Sequence, residues 1–149
     1  MASPANRPAR MRVLFLCTGN SSRSQMAEAI VNARAGKRWE AFSAGTRPAG
    51  FVHPATVRVL SEIGIDASRA RSKPADEFRG QPFDLVVTVC DQAAEECPVW
   101  LGSGKRVHLS FPDPARAQGA EEEILSAFRS VRDSIQREIP PLLAGNEGQ

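Results

Sequence analysis

Eight consecutive residues, Cys17-Thr18-Gly19-Asn20-Ser21-Ser22-Arg23-Ser24, carry the densest chemistry in the chain. Five residues between a cysteine and an arginine are enough to curl the backbone so that its amides face inward. The guanidinium then closes the rim as a planar, permanently charged fork suited to a tetrahedral oxyanion. Gly19 relieves crowding, and Asn20 belongs to the few residue types that tolerate a left-handed backbone. The hydroxyls of Ser21, Ser22 and Ser24 are donors for the loop or for a sulfur. Such a field favours a nucleophilic thiolate at Cys17, lying beneath the bound anion. Alone, a cysteine after an apolar run reads as a buried strand end. The Gly, Asn, Ser and Arg at these offsets favour the nucleophile.

Two more cysteines, Cys90 and Cys97, stand with six residues between them in an acidic stretch closed by Pro98. The spacing is not the pair with two intervening residues of a thioredoxin-like centre. Three cysteines and two scattered histidines do not make the four close ligands of a zinc site. Two readings remain for this pair: buried apolar thiols, or further members of a disulfide relay, which needs access and movement at the attacking sulfur. Asp113, between Pro112 and Pro114, reads either as a turn carboxylate or as an acid. His53 and His108 read as surface or structural, and Trp39 and Trp100 as packing residues.

These side chains need a frame. Arg12 to Cys17 is a short apolar run of the kind buried in parallel sheets. A helix is expected from Gln25 to Ala35 on the stripe Met26, Ile30 and Ala33, then a strand from Trp39 to Ala44. Pro54 suits the first turn of a helix striped by Val57, Leu60 and Ile63 and stopped at Gly64. One helical turn is expected at Ala75 to Phe78, strands at Asp84 to Cys90 and Lys105 to Leu109, and a weak turn from Asp91 to Glu96. The last helix carries Ile124, Phe128, Val131, Ile135 and Ile139, with Glu121, Glu122 and Glu123 in its first turn and Pro140-Pro141 at its end. Alternating strands and helices predict an α/β fold in three layers, a four-stranded, mainly parallel sheet with helices on both faces. Right-handed crossovers then bring Cys17, Cys90 and the Asp113 loop to one carboxyl edge, where ligands bind in such sheets.

The 149 residues suit one domain, placed at 12–140, with tails at 1–11 and 141–149. A net charge of +2 is too small for a nucleic-acid footprint. No apolar run approaches a membrane span, and the first ten residues lack the apolar core of a secretion signal. A cytoplasmic monomer is expected, in which three cysteines are catalytic or redox-active rather than structural.

The segments Cys17 to Glu28, Phe42 to Gly45, Asp84 to Cys90, Cys97-Pro98 and Asp113 to Gly119 together resemble the thioredoxin-coupled arsenate reductases, a family with the low-molecular-weight tyrosine phosphatase fold. The resemblance implies that Cys17 attacks arsenate held by Thr18, Gly19, Asn20, Ser21, Ser22, Arg23 and Ser24, with phosphate or sulfate as analogues. It implies Asp113 as general acid, then Cys90 and Cys97 as successive members of a relay that thioredoxin regenerates. No flavin, nicotinamide or metal is then required. A low-molecular-weight phosphotyrosine-type phosphatase, hydrolysing the Cys17 adduct with water, is the alternative. Some relatives bind potassium beside the anion loop through positions matching Asn20, Glu28 and Ser43 and two more that are Arg71 and Lys73 here. Lys73 is therefore expected to replace the ion and pair with Glu28; otherwise both cations face solvent.

Overall fold

A computed structural model describes residues 10–91 and 99–147. The order is β1 (Met11–Cys17), α1 (Arg23–Arg34), β2 (Trp39–Gly45), α2 (Pro54–Ser61), a 3-10 turn (Ala75–Phe78), β3 (Leu85–Thr88), β4 (Lys105–His108), a second 3-10 turn (Pro114–Arg116) and α3 (Glu121–Ala144). One sheet runs β2-β1-β3-β4 with every pair parallel. β1 is central, which explains its continuous apolar run: both of its faces are covered and Val13, Leu14, Phe15 and Leu16 are buried. Its register sets Cys17 opposite Gly45 and Leu16 opposite Thr88, so three strands end at one level beside the cysteine.

Alternation along β1 divides the core. Val13, Phe15 and Cys17 cluster with Met26 and Ile30 of α1, Val59 and Leu60 of α2, and Phe128, Ile135 and Ile139 of α3. Leu14 and Leu16 face the other way, onto Phe78 of the first 3-10 turn, Phe83 and Trp100. Phe42, Phe78 and Phe83 meet edge-on or tilted with centroids 5.6–6.1 Å apart, and the Arg12 guanidinium lies 4.6 Å from the Phe42 ring centre. The result is the expected α/β frame on a four-stranded parallel sheet, but among the described residues α1, α2 and α3 all cover one face, and the other carries the first 3-10 turn rather than an α-helix.

Several expectations shift. α1 begins at Arg23, two residues early, so the anion loop runs straight into the helix. Its buried side includes Val31, whereas Ala33 is exposed. In α2 the buried residues are Ala55, Thr56, Val59 and Leu60 rather than a stripe through Val57 and Ile63. β3 closes at Thr88, leaving Cys90 beyond the ladder. α3 does not end at Pro140-Pro141 but runs to Ala144. Two prolines remove two backbone donors. Packing past them offsets that loss: Leu143 is buried, and Glu147 accepts hydrogen bonds from Trp39 Nε1 (2.9 Å) and Arg38 Nη1 (3.0 Å). The turn expected at Asp91 to Glu96 falls largely outside the described residues. Among the described residues no helix is long and apolar enough to cross a membrane.

Helices α2 and α3 are also joined by charge. Glu62 accepts from Arg129 at 2.8 Å and from Arg132 at 2.8 Å, and these partners, Arg129 first, pull its carboxyl down to about 2. A carboxylate whose folded value is depressed stabilises the fold above its unfolded value and loses that contribution as it protonates. Glu62→Gln is therefore expected to lower the melting temperature at neutral pH. The difference from the native chain should shrink as pH falls from the ordinary 4.5 towards about 2, as followed by thermal melts across that range.

Candidate active site

The loop leaving β1 owes its shape to what holds its carbonyls. That of Thr18 accepts from Arg47 N–H (3.0 Å) and that of Gly19 from Ala49 N–H (2.9 Å) and Ser72 Oγ (3.1 Å). The Asn20 carbonyl takes Gln25 Nε2 (3.2 Å), that of Ser21 takes His53 N–H (3.1 Å) and Thr56 Oγ1 (3.0 Å), and that of Ser22 takes Met26 N–H (2.8 Å). In a trans peptide the N–H points opposite to the carbonyl. Outward carbonyls on residues 18–22 therefore turn the amides of residues 19–23 inward, at the N-terminus of α1, where an anion is favoured. Gly45 lies directly beneath: a Cβ there would collide with the Thr18 carbonyl.

Cys17 is a buried free thiol at the floor of this cradle. Asn20 N–H donates to its sulfur at 3.2 Å, and Ser24 Oγ lies 2.8 Å from it. Asn20 Nδ2 donates to Ser24 Oγ at 2.8 Å. That bond uses one of the two acceptor sites of the hydroxyl and leaves its proton available to the sulfur. The Asn20 amide and the Ser24 hydroxyl thus both lie within hydrogen-bond reach of the sulfur. Asn20 adopts the left-handed backbone expected of it, with φ 49°. Its side-chain oxygen is fixed by Lys73 N–H at 2.7 Å and Gln25 Nε2 at 2.9 Å.

The Arg23 side chain is buried, donates to the Phe111 carbonyl at 3.2 Å and lies 3.8 Å from Asp113 Oδ2. Asp113 is partly exposed and its other oxygen caps the second 3-10 turn through Ala115 N–H at 3.0 Å. The turn and the acid readings of this residue are thus compatible, because the cap uses one carboxylate oxygen and leaves the other towards Arg23. His53, read as structural, caps α2 through Nδ1 at 3.0 Å; burial lowers its basicity, against the pull of Asp113. Cys90 is fully buried just past β3 and is disulfide-bonded. Cys97 lies outside the described residues.

Behind the loop, Lys73 Nζ reaches Glu28 Oε1 (3.2 Å), the Arg71 carbonyl (3.1 Å) and Ser43 Oγ (3.5 Å), while Ser43 donates to Glu28. Lys73 is buried, and Arg71 instead pairs with Glu77. The oxygens that could take a potassium ion are engaged by an ammonium, so the residues present do not fit one. Gln25, Ser72 and Thr56 brace the loop and were not singled out in the sequence. Gln25 follows Ser24 directly, but nothing in its type announces that it will span Asn20 and the Arg71 carbonyl (2.7 Å).

A strand-end thiol in an amide cradle, with a buried arginine at the end of the same loop and a parallel sheet beneath, is an arrangement suited to hold an oxyanion beside a cysteine. Residues 12–147 match the model of the family described as low molecular weight phosphotyrosine protein phosphatase. An arsenate reductase of Halalkalibacterium halodurans is 46% identical over 127 residues, 85% of this chain and 91% of the relative. A solved arsenate reductase in the phosphate binding state superposes with a TM-score of 0.73 at 26% identity, covering 92% of this chain and 99% of the other. A thioredoxin-dependent arsenate reductase of Corynebacterium glutamicum gives a TM-score of 0.61 at 29% identity, over 91% of this chain and 63% of its own. The chain belongs to the low molecular weight phosphotyrosine protein phosphatase family, in its arsenate reductase branch.

Hydrogen bonds to charged groups are worth about 1.5–3 kcal/mol. Removing the hydroxyl with Ser24→Ala should therefore slow alkylation of Cys17 by iodoacetamide at neutral pH by about tenfold or more, and should also lower the melting temperature because the buried Asn20 Nδ2 loses its acceptor. Peptide mass mapping separates Cys17 from the other thiols.

Proposed function

We propose that this chain reduces arsenate to arsenite through Cys17, Cys90 and Cys97 in turn, and that thioredoxin resets it. The observation that carries the reading is the pairing of a free Cys17, at the end of β1 and bonded to Asn20 N–H and Ser24 Oγ, with a disulfide-bonded Cys90 just past the neighbouring parallel strand β3. The thiolate of Cys17 attacks arsenic; a Cys17–arsenic bond forms and an oxygen leaves as water. Asp113 supplies a proton to that oxygen. The loop amides and Arg23 hold the remaining oxygens.

The thiolate of Cys90 then attacks the Cys17 sulfur. A sulfur–sulfur bond forms, the sulfur–arsenic bond breaks, and its electron pair stays on arsenic, which leaves as arsenite. Cys97 next attacks Cys90, freeing Cys17 as a thiolate and leaving a Cys90–Cys97 disulfide. Two electrons from a dithiol such as thioredoxin restore the start, so the chemistry uses no flavin, nicotinamide or metal. The phosphatase alternative uses the same cradle, with water cleaving a Cys17 phosphoenzyme. It leaves a buried, oxidised Cys90 without a role.

Lys73 serves in this reading as a tethered cation. Its ammonium neutralises Glu28, and its backbone fixes the Asn20 side chain, so the cradle keeps its shape without a bound monovalent ion. Exchanging sodium for potassium at constant ionic strength should leave turnover and melting temperature unchanged. Lys73→Met should lower stability by about 1–3 kcal/mol, the cost of a buried partner left unsatisfied. A marked rise of activity with potassium in the native chain would count against the assignment.

The relay is tested with arsenate, thioredoxin, thioredoxin reductase and NADPH, following NADPH loss. Cys17→Ser is expected to abolish turnover, and Asp113→Asn to slow it by about 10²–10⁴. Cys97→Ser should stop after one cycle and accumulate the Cys17–Cys90 disulfide, seen by mass spectrometry. Sustained turnover in Cys97→Ser, or phosphate release from aryl phosphates with no arsenate-dependent NADPH loss in the native chain, would favour the phosphatase.

A further inference from the structure

At the carboxyl end of the β3–β4 pair, three side chains form a line of hydrogen bonds. Thr88 Oγ1 lies 2.7 Å from His108 Nδ1, and His108 Nε2 lies 2.7 Å from Ser110 Oγ. Ser110 Oγ donates to the Cys90 carbonyl at 3.2 Å. Thr88 and His108 are register partners, and Leu109 N–H adds a backbone bond to the Thr88 carbonyl at 2.9 Å. The line crosses from one strand end to the next and closes on the backbone of Cys90.

The protons can be counted. A serine hydroxyl has one hydrogen, and here it goes to the Cys90 carbonyl. Its bond to His108 must then be an acceptance from Nε2–H. In the neutral imidazole this leaves Nδ1 to accept from the Thr88 hydroxyl. Every donor points the same way, from Thr88 to Cys90, and bonds so aligned polarise one another. Ser110 is exposed and His108 half-buried, whereas Cys90 has no exposed surface. A hydrogen bond at an exposed serine adds little to stability, so its consequence lies in what it holds.

We propose that His108 and Ser110 are positioning residues for Cys90, a clasp that fixes its backbone while its sulfur changes partners. The proposal rests on the relay described above. There the Cys90 sulfur must first reach the Cys17 sulfur and then receive attack from Cys97. With the Cys90 carbonyl held, the exchange becomes a rotation of one side chain about a fixed point. Without it, the Cα is free to shift and the approach to Cys17 is lost. The clasp enters no bond-making step: the Cys17–Cys90 bond forms, the Cys17–arsenic bond breaks, and the ring neither gains nor loses a proton.

The test separates the two sulfur steps. In a Cys97→Ser parent, one addition of arsenate is followed by acid quench and mass analysis of the Cys17–Cys90 disulfide. Ser110→Ala and His108→Phe are expected to slow that disulfide by about tenfold or more, in line with the penalty for misplaced reacting groups. Ser110→Thr, which keeps the hydroxyl, should restore the native rate. Alkylation of Cys17 and its protection by phosphate should stay native in all three, since neither involves Cys90. Disulfide formation at the native rate in Ser110→Ala would overturn the clasp alone. Equal loss of phosphate protection would also overturn it, by placing the effect on the anion loop. If the Cys97→Ser parent forms no such disulfide, the relay fails and the clasp with it.

Discussion

The site depends on the outward pull exerted on five consecutive carbonyls, those of Thr18 to Ser22. Backbone amides are obligatory hydrogen-bonding groups, so a loop with all its N–H groups facing one point must satisfy its carbonyls elsewhere. Here the partners come from four parts of the chain: the Arg47–Ala49 stretch, the start of α2, Ser72, and α1 itself. The cradle is therefore a property of the packed domain rather than of eight residues. Its concentrated positive field exists before any anion arrives, which spares reorganisation during reaction.

Asn20 is where these constraints meet. Its left-handed backbone turns the loop, its amide reaches Cys17, and its side chain sends one donor to Ser24 while its oxygen takes two donors. One of those donors is the backbone of Lys73, whose side chain is buried against Glu28. A buried ion pair is a weak source of net stability, but breaking one side of it is costly. Lys73 therefore ties the charge behind the loop to the geometry in front of it. Gly45, between them, is small because the Thr18 carbonyl occupies the place of a side chain.

The parallel sheet organises the remaining chemistry. β1 and β3 are neighbours, and Cys17 ends the first while Cys90 lies two residues past the second. β4 leads on through His108 and Ser110 to Phe111, whose carbonyl holds Arg23, and to Asp113 beside the same guanidinium. Right-handed crossovers between parallel strands bring every such loop to the same edge. The anion cradle, Asp113 and Cys90 thus share one rim without any single segment supplying all three.

The loop that joins Cys17 to Arg23, the α/β frame and the likeness to arsenate reductases were legible in the residue order, because each rests on local signals: a spacing of five, apolar runs of strand length, and punctuation by glycine and proline. Helix ends were read less well. α3 passes through Pro140-Pro141 because Trp39, Arg38 and Leu143 gain contacts that no local propensity registers. The bracing residues Gln25, Ser72 and Thr56, the caps made by His53, and the line from Thr88 to Cys90 were silent in the sequence. Their types are ordinary, and their partners lie up to 53 positions away. A sequence by itself determines what each residue can donate, accept or attack. Only the tertiary structure decides which partners it meets, because hydrogen bonds act over about 3 Å and only packing brings distant parts of a chain that close.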